Sequence, residues 1–215
     1  MSHPMKVVIV GGVAAGPKAA ARIVRLDPKA EVTIIEKGEF LSYAGCGLPY
    51  HVSDVVVEQA ELMSTPVGVV RDAAFFQKVK NIRAMNHTEA TEIDRSERRV
   101  RIRKVTDGKQ SWLDYDKLVL ATGAAPVVPP IPNIDLQNIF TLQGIRDAEG
   151  IRNQLAEGNV RDVVIVGGGL IGVEAAEALV EKGCRVTMVE MLPQILGMLD
   201  WKWRSSCNST CSLVA

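Results

Sequence analysis

Apolar and polar positions along this chain follow two periods in turn, and the same succession occurs twice. KVVIV over 6–10 is a short β-branched run, and GGVAAG follows it. PKAAARIVRL comes next, a strong helix former with Pro17 near its start, where a missing N–H costs little. EVTIIE over 31–36 predicts a second strand. Strand, glycine-rich turn, helix and strand within about 30 residues make a βαβ unit, the size of a mononucleotide-binding half. The order returns as the strand DVVIV over 162–166, the turn GGGLIG, the helix VEAAEALVEKG and the strand CRVTMVE over 184–190. A duplication of this unit predicts two dinucleotide sites rather than one.

The intervening chain has a different texture. Residues 54–84 read as mostly helical. ATEID, RRVRIRKV and SWLDY then alternate apolar and charged positions around a turn at Asp107-Gly108, the pattern of an antiparallel meander. KLVLA over 117–121 is a continuous apolar run suited to a buried strand. ATGAAPVVPPIP breaks regular structure with four prolines and predicts a linker into the second nucleotide domain. The expected fold class is α/β, with two Rossmann-like dinucleotide-binding βαβ domains, the second incomplete. The expected domains are residues 1–150, with the meander at about 88–115, and 151–201, with a tail at 202–215 outside the pattern.

A dinucleotide loop uses glycine for the tight turn, for close approach of backbone to pyrophosphate, and for helix–strand packing. Gly167, Gly169 and Gly172 supply all three in the second loop. Glu190 closes the following strand, 23 residues after Gly167, where a carboxylate accepts from ribose hydroxyls and repels a 2′-phosphate. That favours NADH over NADPH. The first loop has Gly11, Gly12 and Gly16, but Val13 stands where the middle glycine is expected; Glu36 ends its second strand, 25 residues after Gly11.

Composition removes other classes of function. Lys and Arg total 25, as do Asp and Glu, so no global field draws the chain to nucleic acid or a membrane surface. No apolar run approaches the roughly 18 residues of a membrane span. The N-terminus passes straight into a strand without the pattern of a signal peptide. The four cysteines, Cys46, Cys184, Cys207 and Cys211, form no even framework, and a reducing cytoplasm is the expected compartment. SYAGCGLPY over 42–50 is too small and too polar for core filling. It reads as a loop that presents Cys46, with a helix start after Pro49 to help lower the thiol pKa. Cys184 reads as a core thiol, His51 and His87 as structural or surface residues, and the Cys207–Cys211 pair as no metal site.

Together these motifs resemble the FAD-dependent pyridine nucleotide-disulfide oxidoreductases, over residues 5–201. More narrowly the chain resembles their single-cysteine branch: coenzyme A disulfide reductases, persulfide reductases and NADH oxidases or peroxidases. The resemblance implies that the first loop with Glu36 holds FAD, that Ala121, Thr122 and Gly123 also contact FAD, and that the second loop with Glu190 holds NAD(P)H. It places Cys46 beside the flavin. The fifth residue after Cys46 is His51, and no cysteine lies between Cys46 and Cys184, so Cys46 is oxidised alone, as a sulfenic acid or as a mixed disulfide with a small thiol. The oxidase and peroxidase members carry a histidine in the first loop where this chain has Ala14, which favours a coenzyme A disulfide or a persulfide. Lys18, Arg22 and Arg25 share one helix face. By the resemblance that helix and Ser42 contact the coenzyme A nucleotide, while a solvated face is the plainer reading of the same stripe. Gly45 stands where the family has Asn. Tyr43 and Tyr50 are either substrate-packing or scaffold.

After Trp201 the apolar period stops, and the tail is compatible with a reading-frame slip. The resemblance implies three further parts: the rest of the nicotinamide domain, a segment completing the FAD site, and a dimerisation domain that makes relatives homodimers. Two function classes follow, a flavoprotein reductase acting through Cys46 and an inactive nucleotide-binding fragment.

Overall fold

The computed structural model describes residues 3–200. They divide into two compact units. The first runs to Ala44 and resumes over Ala60–Ala125; the second combines Gly45–Gln59 with the chain from Pro126. Elements are numbered in chain order through both.

In the first unit, β1 (Lys6–Val10), β2 (Glu31–Ile35), β3 (Ile82–Met85) and β7 (Lys117–Leu120) form a parallel sheet in the order β3-β2-β1-β7. Val7, Val8 and Ile9 of the central strand are all buried, as a parallel strand covered on both faces requires. On one face Val7, Ile9, Ile34 and Ile82 pack with Ala20 of α1 (Ala15–Leu26) and Phe76 of α3 (Ala73–Lys80). On the other, Val8 and Ile35 meet Val100 and Ile102 of the meander β4 (Thr88–Asp94), β5 (Arg99–Lys104) and β6 (Gln110–Asp114). The unit therefore has three layers: helices, parallel sheet, antiparallel sheet. The basic run of β5 is neutralised where it stands: Arg99 pairs with Asp94, Arg101 with Glu92 and Arg103 with Glu89, and Arg99 and Arg101 stack on the ring of Trp112.

One element differs from the helical reading of residues 54–84. That stretch contains α3 and a 3₁₀ turn at Gln59–Met63, but Ile82–Met85 is the edge strand β3, fully buried at Ile82 and paired with β2. Asn81, in the left-handed conformation at φ 52°, ends α3 and turns the chain into the strand.

The second unit holds a two-stranded parallel sheet of β8 (Asp162–Val166) and β9 (Arg185–Val189), with α2 (Leu48–Val52), α4 (Ile145–Ala156) and α5 (Leu170–Glu181). The sequence reading contains no helix at α4. Asp147 starts it by accepting from the backbone N–H groups of Gln143 and Gly144. Among the described residues no helix is long and apolar enough to cross a membrane.

Candidate functional site

The two glycine-rich loops are built alike. Gly11 and Gly167 sit at φ +113° and +111°, a region L side chains rarely adopt. A Cβ on Gly16 would lie 1.8 Å from the Gly11 carbonyl oxygen, and one on Gly172 2.0 Å from that of Gly167, so each helix packs directly on its own turn. Gly169 is different: a Cβ there meets nothing within 4 Å. Val13 holds the matching place in the first loop, half-buried at the wall of a cavity that it lines with Lys18 and Ser42.

The likeness extends past the second strand. The Gly12 N–H donates to Glu36 Oε2 at 2.6 Å, and the Gly168 N–H to Glu190 Oε2 at 2.6 Å. The Gly12 carbonyl accepts from the Ser42 N–H, and the Gly168 carbonyl from the Leu196 N–H. Leu41 and Ile195 lie over the same two glycines, 2.7 Å from where a Cβ would stand. Ser42 and Leu196 both take positive φ, +49° and +52°. Each acid therefore holds its loop as well as facing it. The N–H groups of Leu192 and Gly168 keep the Glu190 carboxyl below the ordinary carboxylate range. No side chain caps α1 or α5, and neither first turn contains an acid. A bare helix N-terminus over a turn with no room for Cβ fits a pyrophosphate.

Ala121 reaches the first loop through its backbone. Its N–H donates to the Val10 carbonyl, and its oxygen lies 2.0 Å from where a Gly11 Cβ would be. Thr122 and Gly123 follow, exposed, with Gly123 at φ +68°.

Lys18 and Ser42 line a cavity of about 480 Å³ in the first unit, with Tyr43, Arg71, Phe75 and Lys80. Arg22 and Arg25 do not line it, so the structure does not keep the three-residue stripe together as one site. Sequence reading missed Arg71 and Lys80. Arg71 reaches the cavity because the backbone reverses over 64–70 and its Nε donates to the Met63 carbonyl. That closure leaves no period in the sequence, though Gly68 at φ +79° marks its turn.

Cys46 is an exposed free thiol in the 3₁₀ turn Gly45–Gly47, in the second unit, and α2 begins directly after it. Cys184 is buried. His51 is buried in α2, and His87 stands at a turn with φ +49°. Cys207, Cys211 and the rest of the 202–215 tail lie outside the described residues. Among those described, no group of His, Cys, Asp and Glu is arranged to hold a metal ion.

The sequence family described as pyridine nucleotide-disulphide oxidoreductase matches residues 5–210. A CoA-dependent NAD(P)H sulfur oxidoreductase of Pyrococcus abyssi is 43% identical over 190 residues, which are 88% of this chain and 40% of that protein. An NADH oxidase of Enterococcus faecalis is 36% identical over 89% of this chain and 41% of its own length. The solved structure of an NAD-dependent persulfide reductase from A. fulgidus superposes with a TM-score of 0.91 at 42% identity, covering 96% of this chain and 38% of that one. The chain thus spans about 40% of the length of the curated relatives it matches.

Proposed function

Because the chain belongs to the pyridine nucleotide-disulphide oxidoreductase family, we propose that it carries electrons from NADH through FAD to Cys46 and on to a coenzyme A disulfide or related persulfide. The observation that carries this reading is Cys46 itself: an exposed free thiol, while the other described cysteine, Cys184, is buried. Two dinucleotide loops of one design support the electron path. Gly11, Gly12, Gly16 and Glu36, with Ala121, Thr122 and Gly123, are the residues to hold FAD; Gly167, Gly169, Gly172 and Glu190 are those to hold NADH. Residues 1–150 and 151–201 divide the same tasks between them.

FAD, when bound, relays two electrons from the nicotinamide to the cysteine sulfur. The Cys46 thiolate attacks one sulfur of the disulfide R–S–S–R′. That bond breaks, R′S⁻ leaves and takes a proton from water, and Cys46 is left in a mixed disulfide with RS. Two electrons cleave the new bond, restore the thiolate and free the second thiol. In sum, RSSR′, NADH and one proton give RSH, R′SH and NAD⁺. Lys18, Arg71 and Lys80 suit the phosphates of a coenzyme A nucleotide, and Tyr43 and Phe75 suit an apolar wall. Ala14 at the start of α1 brings no acid or base for peroxide or oxygen chemistry.

The test is the visible spectrum of the purified chain after gel filtration, followed by anaerobic NADH. A flavin band that NADH bleaches and coenzyme A disulfide restores, lost for disulfide but not for bleaching in Cys46→Ser, is the expected result. A colourless protein overturns it in favour of an inactive nucleotide-binding fragment. Fast recovery of the band with oxygen alone moves the reading to an NADH oxidase.

A further inference from the structure

The turn that carries Cys46 runs straight into α2, and five residues do not hold a helix by themselves. The direction of Cys46 therefore depends on what α2 rests against. Leu48, Pro49 and Val52 are buried, and α2 packs on α4 and α5. His51 is the buried polar residue of the helix, 1% exposed, and must be satisfied inside. Its Nδ1 lies 2.8 Å from the Val56 carbonyl, which only accepts, so Nδ1 donates this bond.

Arg152 of α4 stands against the same ring. Its Nη1 stands 2.9 Å from the His51 ring nitrogens and donates to the Val57 carbonyl at 3.0 Å. Its Nη2 donates to Asp54 Oδ1 at 2.5 Å. The second oxygen of Asp54 takes the ammonium of Lys182, the residue that ends α5. The bond from Lys182 and the charge of Arg152 hold the Asp54 carboxyl below the ordinary range, against an opposing effect of burial. One guanidinium thus ties positions 51, 54 and 57 to α4, and Asp54 carries the tie to α5.

We infer that Arg152 is a positioning residue for Cys46, acting through His51 and Asp54 to fix the direction of the thiol. This rests on the reading of Cys46 as the reactive cysteine. Disulfide exchange needs three sulfurs in line and so senses direction, whereas alkylation responds chiefly to how much thiolate is present. The experiment measures both rates on Cys46 by peptide mass spectrometry, with 4,4′-dithiodipyridine and iodoacetamide, and follows Cys184 as a guard. In Arg152→Gln, exchange slows about tenfold, alkylation stays within about twofold, and Cys184 remains protected. An unchanged exchange rate overturns the inference. So does a rise in both rates together with labelling of Cys184, which is loosening of the unit and not loss of direction. Should Arg152→Gln fail to fold, Asp54→Asn keeps the side-chain shape and is read in the same way. A wild-type Cys46 no faster than free cysteine defeats the reading of the reactive thiol and this inference with it; a fast Cys46 indifferent to Arg152 defeats the inference alone.

Discussion

Glu190 accepts the N–H of Gly168 at 2.6 Å and that of Leu192 at 2.8 Å, so backbone bonds fix the acid at the end of β9. Both bonds favour the charged carboxylate and lower its pKa below the ordinary 4.5. A lowered folded-state pKa gives stability that is present above the unfolded value and is lost as pH falls through the folded one. The wild-type melting temperature is expected to drop below about pH 4.5 by more than that of Glu190→Gln, which has no charge to lose. Thermal denaturation of both proteins from pH 6 to 3 checks this, and parallel curves would contradict it.

If the second loop holds the nicotinamide nucleotide as proposed, the same carboxylate sets cofactor choice. A fixed negative charge beside the ribose repels a 2′-phosphate, and Glu190→Gln removes the charge while keeping the size. The ratio of NADPH to NADH affinity is expected to rise about tenfold, as measured by calorimetry, and more steeply at low salt. An unchanged ratio would put the discrimination elsewhere in the loop.

Glycines of one loop are not equivalent. Gly172→Ala places a methyl 2.0 Å from the Gly167 carbonyl oxygen, a backbone atom that cannot step aside. The expected cost is about 3 kcal/mol, read from urea unfolding. Gly169→Ala meets open space at an ordinary φ of −78°, and its stability is expected to change by less than about 0.5 kcal/mol. On the proposed function nucleotide affinity should fall in both, Gly169→Ala by crowding the ligand and Gly172→Ala by displacing the helix. Equal stabilities in the two variants would sink the distinction.

These glycines also mark what the sequence makes legible. The duplicated βαβ units, the meander, Glu36 and Glu190 rest on local periods and fixed spacings, so they can be read without a structure. Ile82–Met85 is four residues long and becomes a strand only because β2 offers it an edge. The helix Ile145–Ala156 contains Gly150 in its middle, and its start depends on Asp147 folding back on the N–H of Gln143. The partnership of Leu41 with Gly12 and of Ile195 with Gly168 spans 29 and 27 positions and has no sequence signature. Arg71 and Lys80 are invisible in the sequence for the same reason: only the turn at Gly68 and the docking of α3 bring them to Lys18.

The helix stripe Lys18, Arg22, Arg25 is uniform along the chain, yet only Lys18 lines the cavity that also holds Ser42, Arg71 and Lys80. If phosphates of the substrate enter there, charge removal must act by position and not by count. Lys18→Met and Arg71→Met are each expected to raise the KM for coenzyme A disulfide about tenfold, the size of one lost charge-assisted hydrogen bond. Arg22→Met and Arg25→Met remove the same charge from outside the cavity and should change it by less than about twofold at physiological salt. Arg71 carries a further consequence, because its Nε holds the Met63 carbonyl. Arg71→Lys keeps the charge without that bond, so a partial recovery of KM separates phosphate attraction from loop closure. Equal effects at all four positions would show a diffuse field acting on the substrate and would remove the cavity from the substrate path.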